Sequence, residues 1–353
     1  METIGFAGTA KNTGKTTTAL EVLSQCSAAG LHCALTSIGF DGENLDHVTG
    51  LPKPRYHVPA GTLIATAQKL LVGGSARLSI HAITKIQTIL GPVVLAEVDE
   101  PGTVVLAGPN RQVDLTTILE LFQKTSAEVT LVDGALNRLV PLIGADSLVL
   151  STGAAFDANI ATVANHAGAL AAMWTPQKFP IDLPATQSVQ VWFQNGTTAE
   201  LPGGSLISEA AQTALLRHLH QPVYRLVIPF ACHPRLLMRI LDRLAGAQLV
   251  LGDALKCIAS GSPQDWQPVW QACGALKIAP SYLHTLPLRL MTVNPFYPHY
   301  FPGEFRYEPS YVDSAELVAA VRQAVPVVPV MDIRQPPQPN LLDTLHIPHK
   351  EEQ

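Results

Sequence analysis

Near the start of the chain, residues 8–18 read Gly-Thr-Ala-Lys-Asn-Thr-Gly-Lys-Thr-Thr-Thr. Two glycines, two lysines and a run of hydroxyls in this order suit the holding of a polyphosphate. Thr3-Ile4-Gly5-Phe6-Ala7 reads as a short buried strand before them, and residues 17–29 read as a helix after them. Strand, glycine-bounded loop ending in Gly-Lys-Thr, then helix turns free backbone N–H groups and the positive end of a helix dipole toward an anion. Gly8, Thr9, Lys11, Asn12, Thr13, Gly14, Lys15, Thr16 and Thr17 are therefore the candidate nucleotide-binding residues. Lys15 is expected to reach the β- and γ-phosphates and stabilise charge on the transferred phosphoryl group, and the Thr16 hydroxyl to hold Mg²⁺. The strict pattern has glycine where this chain has Thr9; its glycine is Gly8, one residue earlier. Lys11 stands four residues before Lys15, one short of the spacing of a lysine that reaches across a dimer, so a solvated loop lysine is the alternative for it.

Mg²⁺ takes one or two protein oxygens beside the phosphates and keeps several waters. The carboxylates placed to help lie at the ends of later strands. Val129-Thr130-Leu131-Val132 is an apolar run ending in Asp133-Gly134, which makes Asp133 the candidate for a water-mediated magnesium contact. Residues 32–37 read as a second strand, followed by Gly39-Phe40-Asp41-Gly42-Glu43. Either Asp41 or Glu43 is expected to place the attacking water, and Asp41 is also a candidate for an outer magnesium contact; an ordinary turn acid is the alternative for each. Asn110-Arg111, Asn137-Arg138 and Ser151-Thr152-Gly153 fall on loops expected at the same edge. Cys232-His233 could be a ligand pair or a nucleophile with its base, against a packed cysteine beside a loop histidine.

Strands alternating with helices imply an α/β fold: a mostly parallel twisted sheet flanked by helices, with its site at the carboxyl ends of the strands. Residues 63–71 and 82–90 are predicted helical, residues 93–98 and 103–107 a hairpin around Glu100-Pro101-Gly102, and residues 115–124 a helix. In the second half, residues 189–193 and 198–201 form a predicted hairpin about Asn195-Gly196. Ser208 is a predicted N-cap, and strands are expected at 225–228, 248–251, 288–293 and 327–331. This order echoes the first half at a roughly constant offset, which suggests a degenerate repeat in which Pro229 replaces Asp133. The expected division is a nucleotide-binding domain over residues 1–175, a second α/β domain over 176–335, and a loose Pro/Gln-rich tail over 336–353. Seven of the aromatic residues fall within 294–311. The prolines and glycine among them predict an irregular loop suited to a partner surface, a flat ligand or a plug over the sheet.

With 47% hydrophobic and 14% charged residues in 353, the chain suits a large buried sheet. A net charge of −5 without a basic cluster argues against nucleic acid as a partner. No uninterrupted apolar stretch is long enough to span a bilayer, and Met1-Glu2-Thr3 leads directly into the first strand. A cytoplasmic protein with five free thiols is expected.

The loop GTAKNTGKTTT resembles that of dethiobiotin synthetase and its relatives, which also begin Gly-Thr. Together with TSIGFDGE, LAGPNR, LVDGALNR and LVLSTGAA, it makes residues 1–165 resemble the P-loop accessory ATPases, or reactivase subunits, found beside cobalamin-dependent lysine 5,6-aminomutase. Beyond that the likeness rests on element order and the VNP and PVVPVMD segments. The resemblance implies ATP and Mg²⁺ as cofactors, ATP hydrolysis driving exchange of damaged cobalamin on an aminomutase, and a second ATPase subunit as a further partner. The residues themselves imply a Mg-nucleotide site. They leave open a small-molecule ligase or kinase, with acceptor-binding cations near Lys53 and Arg55, and a nucleotide-binding adaptor without hydrolysis.

Overall fold

Residues 3–8 are buried without interruption, which an isolated strand cannot achieve: both faces and both edges must be covered. A computed structural model describes residues 1–41, 56–134, 142, 144–181, 187–201, 203–304, 306–336 and 339–349, with the backbone alone at 40 and 41. It divides into two compact units, Met1–Asn165 with Pro287–Gln353, and His166–Leu286. Segment 287–353 thus belongs with the first unit, where a division at 175 and 335 was expected.

In the first unit, β1 (Glu2–Gly8) lies inside a nine-stranded sheet. Across the sheet the strands run Val330–Met331, Leu288–Asn294, Ser147–Gly153, β1, Val129–Asp133, β2 (Cys33–Ser37), Leu63–Ala67, Gly91–Glu100 and Arg77–Thr88. Neighbours are parallel as far as Leu63–Ala67, and the last two strands pair antiparallel. Alternate residues feed opposite faces. Cys33, Leu35 and Ile64 pack with Val22, Leu23 and Cys26 of α1 (Lys15–Ala28). Ala34, Leu63 and Ala65 pack with Ile118 and Phe122 of the helix Gln112–Gln123. Helices on both faces and a largely parallel sheet agree with the α/β expectation.

Several elements differ from expectation. Residues 82–90 were predicted helical and belong to the strand Arg77–Thr88; Leu63–Ala67 is a strand followed by a short 3-10 turn, Gln68–Leu70. Residues 93–98 and 103–107 do not pair as a hairpin. Gly91–Glu100 lies between Leu63–Ala67 and Arg77–Thr88, whereas Gly102–Val104 pairs with Tyr56–Val58 and Leu106–Ala107 with Phe40–Asp41. The aromatic segment is regular: Phe296–Phe301 and Arg306–Tyr311 form an antiparallel ribbon with Pro298 opposite Pro309. Two prolines can face each other where the ladder has no bond to lose. The expected loose tail contains a helix, Leu341–Thr344, whose Leu341 and Leu342 are buried with Leu345 and Ile347 against α1. Gln25 receives the Leu341 N–H at 2.8 Å and donates to the Pro339 carbonyl at 3.1 Å.

The second unit has a six-stranded sheet: Gln177–Lys178, Ala279–Tyr282, Gln248–Leu251, Val223–Ile228, Val189–Phe193 and Thr198–Leu201. The hairpin about Asn195-Gly196 is present, and Ser208 caps Glu209–Leu216 by receiving the Ala211 N–H. The suspected repeat is not carried into topology. Val223–Ile228 and Gln248–Leu251 are direct neighbours, whereas their proposed counterparts Val129–Asp133 and Ser147–Gly153 are separated by β1. Among the described residues no helix is long and apolar enough to cross a membrane.

If segment 339–347 is part of the first core, Leu341→Ala should cost about 2–4 kcal/mol. Urea unfolding followed by circular dichroism checks this; an unchanged midpoint is the behaviour of a loose tail.

Candidate functional site

The crevice follows from chain direction. The chain leaves β1 toward β2, passing over Val129–Asp133, and leaves Val129–Asp133 in the other direction, passing over β1 to Ser147–Gly153. Loops that depart in opposite directions open a gap between the carboxyl ends of these two strands, where α/β sheets place ligands. Residues 9–14 fill one side of that gap and Asp133 the other.

Gly14 occupies the N-cap of α1 at φ 93°, a left-handed conformation open to glycine, and offers no side-chain cap. The first turn of α1 has no acidic residue. The Thr16 and Thr17 N–H groups precede Thr18, whose N–H is the first to donate within the helix, to the Gly14 carbonyl at 2.9 Å, so they belong to the uncapped helix start. Gly8 answers a different need: a Cβ there would lie 2.5 Å from Thr13 Oγ1, so the glycine one position before the expected site is what lets the loop fold over β1. Thr13 Oγ1 donates to the Ala10 carbonyl at 3.0 Å, and Asn12 is left-handed at φ 64°. Lys11 is exposed.

The loop is tied to the strands beside it. Thr9 N–H donates to the Ser151 carbonyl at 2.9 Å, and Thr9 Oγ1 donates to Thr152 Oγ1 at 3.0 Å. Ser151-Thr152-Gly153 is therefore a strand end that supports the loop. Beneath the helix start, the Thr18 and Ser151 hydroxyls meet Thr292 Oγ1 at 3.1 and 2.8 Å. Asn294 Nδ2 donates to the Asn12 carbonyl at 2.9 Å.

Lys15 Nζ pairs with Asp133 Oδ1; the lysine side chain is 16% exposed and the aspartate fully buried. The Tyr56 hydroxyl donates to Asp133 Oδ2. Asp133 thus lies beside the loop, as expected, and its bonding includes a partner that sequence reasoning missed. Tyr56 is itself buried, and nothing in its neighbourhood signals a contact to a residue 77 positions away. A buried carboxylate is tenable because it is paired and hydrogen-bonded.

The other candidates separate. Asp41 lies on the short strand Phe40–Asp41, with its backbone paired to Leu106. Glu43, Lys53, Arg55, Asn137 and Arg138 lie outside the described residues. Arg111 turns to Asp114 on its own helix at 2.9 Å, and nothing places it in the gap. Cys232 is fully buried, which pushes its thiol well above the ordinary range, and His233 Nδ1 caps its helix by receiving the Arg235 N–H at 3.2 Å. This pair is structural. Among the described residues no three His, Cys, Asp or Glu side chains gather as a metal cage. Among the described residues, the polar groups in the gap are amides, a lysine, hydroxyls and the Asp133 carboxylate. Such a set suits a phosphorylated ligand and a hard cation sharing that ligand's oxygens.

No protein-family model, curated protein or solved structure matches the chain.

Lys15→Met should cost about 3–5 kcal/mol, because it removes the cation from a buried carboxylate. Tyr56→Phe should cost about 1–3 kcal/mol, the usual cost of unpairing a buried acceptor. In urea unfolding, adding Asp133→Asn to Lys15→Met should recover part of the loss; strictly additive losses would show that the two side chains do not interact.

Proposed function

We propose that the chain is a P-loop ATPase of the dethiobiotin-synthetase-like class that binds Mg-ATP and uses its hydrolysis to remodel a partner enzyme. The sequence resemblance makes a cobalamin-dependent aminomutase the favoured partner, with a second ATPase subunit beside it. The observation that carries the remodelling reading is the connection from the loop to an exposed aromatic element. Asn294 donates to the Asn12 carbonyl, its Oδ1 receives the Phe296 N–H at 3.2 Å, and the aromatic ribbon begins at that residue. Tyr300 and Tyr311 of the ribbon are exposed. A loop that adjusts to phosphate must carry or release Asn294, and with it the root of the ribbon.

The chemistry asks little of the protein beyond position and charge. The amides at the start of α1 receive the phosphate oxygens. Lys15 moves from Asp133 to the β- and γ-phosphates and stabilises charge as the terminal phosphoryl group passes to water. That exchange takes the lysine from Asp133, which keeps the Tyr56 hydroxyl. Thr16 and Asp133 would hold Mg²⁺, which when bound neutralises charge on the phosphates. Placement of the attacking water falls to Asp41 or Glu43.

Basal ATP turnover should be slow and should rise when the aminomutase is added, as read by phosphate release. Lys15→Ala should lower stimulated turnover by about 100- to 1,000-fold. Asn294→Ala should retain ATP binding while losing about tenfold of the stimulation. Rapid turnover on a small carboxylate or amine without any protein partner would replace this reading with a ligase or kinase.

A further inference from the structure

Among the described residues, Arg225 is the one lysine or arginine that is buried, at 5% exposure. It belongs to the second unit, on the strand Val223–Ile228, where the register with Val189–Phe193 shifts between Trp192 and Phe193. Trp192, Arg225 and Gln248 stand opposite one another on three adjacent strands. The flanking Val191, Leu226 and Leu249 enter the main core, so this row occupies the other face of the sheet.

Three rings surround the guanidinium. Its central carbon lies 4.6 Å from the Phe179 ring centroid, 5.3 Å from that of Trp192 and 5.2 Å from that of Tyr224. Nε donates to Gln248 Oε1 at 2.8 Å. Among the described residues, no carboxylate pairs with Arg225 and no acceptor meets its two terminal nitrogens. Among the described residues, the Trp192 indole nitrogen is also buried without an acceptor.

Removing a guanidinium from water is costly, and buried charges are ordinarily paired. Cation–π contacts act on the faces of the group and leave its in-plane N–H fork to an acceptor arriving from outside. That fork matches two oxygens of a carboxylate or phosphate. Tyr224, 46% exposed, lies at the solvent side of the group. We propose that the terminal edge of Arg225, walled by Phe179, Trp192 and Tyr224, binds the oxyanion group of a small molecule, a carboxylate or a phosphate. Arg225 makes the bidentate contact, and the rings exclude water from its faces.

All four tryptophans, Trp174, Trp192, Trp266 and Trp270, lie in the second unit, so their fluorescence reports there. The intact chain is titrated at constant ionic strength with acetate, succinate and inorganic phosphate, and separately with an acidic peptide. A saturable change with the small carboxylates and with phosphate is expected, abolished by Arg225→Met. Arg225→Lys keeps the charge but lacks the fork, and should weaken binding by about tenfold; it serves if the methionine variant does not fold. No saturable response, or one unchanged in either variant, overturns the proposal. So does a response to phosphate alone that survives the Arg225 variants, which belongs to the loop at Lys15. Binding of the acidic peptide without binding of small anions overturns it in favour of a protein partner.

Discussion

A lysine and an aspartate face each other where two parallel strands end, and most of the first unit serves to keep them there. Lys15 is held by the start of a helix, Asp133 by a strand whose five residues are all buried. Both positions depend on the same sheet. Because the connections leave β1 and its neighbour in opposite directions, the gap between the strands is open to a ligand, and the charges within it are spared the full cost of burial by pairing with each other. On the proposed function, a phosphate entering the gap would exchange one partner of Lys15 for another.

The support is assembled from distant parts of the chain. Thr18, Ser151 and Thr292 share hydroxyl contacts under the loop, and Asn294 holds the loop from above through the Asn12 carbonyl. These contacts cost little individually. Together they set the angle at which the loop amides present themselves, because each satisfies a polar group that the sheet buries. Tyr56 does the same for Asp133 from a strand outside the large sheet.

Parts of this were legible in the residue order because they are local. A glycine-bounded loop between an apolar strand and a helix declares itself, as does Asn195-Gly196 between alternating residues, and Ser208 before its helix. The failures are also physical. Arg77–Thr88 is an edge strand with Ile80 and Ile83 exposed, so its apolar residues lack the alternation that marks a half-buried strand. The prolines of the aromatic ribbon read as breaks, although Pro298 and Pro309 face each other across it and interrupt no ladder bond. Leu341, Leu342, Leu345 and Ile347 form a small apolar set that was hidden by the prolines and glutamines before it. The contacts of Tyr56 and Asn294 depend on residues 77 and 282 positions distant and leave no local mark.

The strand Leu288–Asn294 enters the first unit only after the whole of His166–Leu286 has left the ribosome. Until then Thr18 and Ser151 have no Thr292 to meet, and residues 9–14 are held from one side. The loop near the start of the chain is therefore among the last features to mature, although it is among the first to be synthesised. Closing so long an interval adds little to the entropic cost, since that cost grows only logarithmically with length. Its effect is temporal: an incomplete chain carries residues 9–14 without the frame that orients them, and that frame arrives with the segment that also carries the aromatic ribbon.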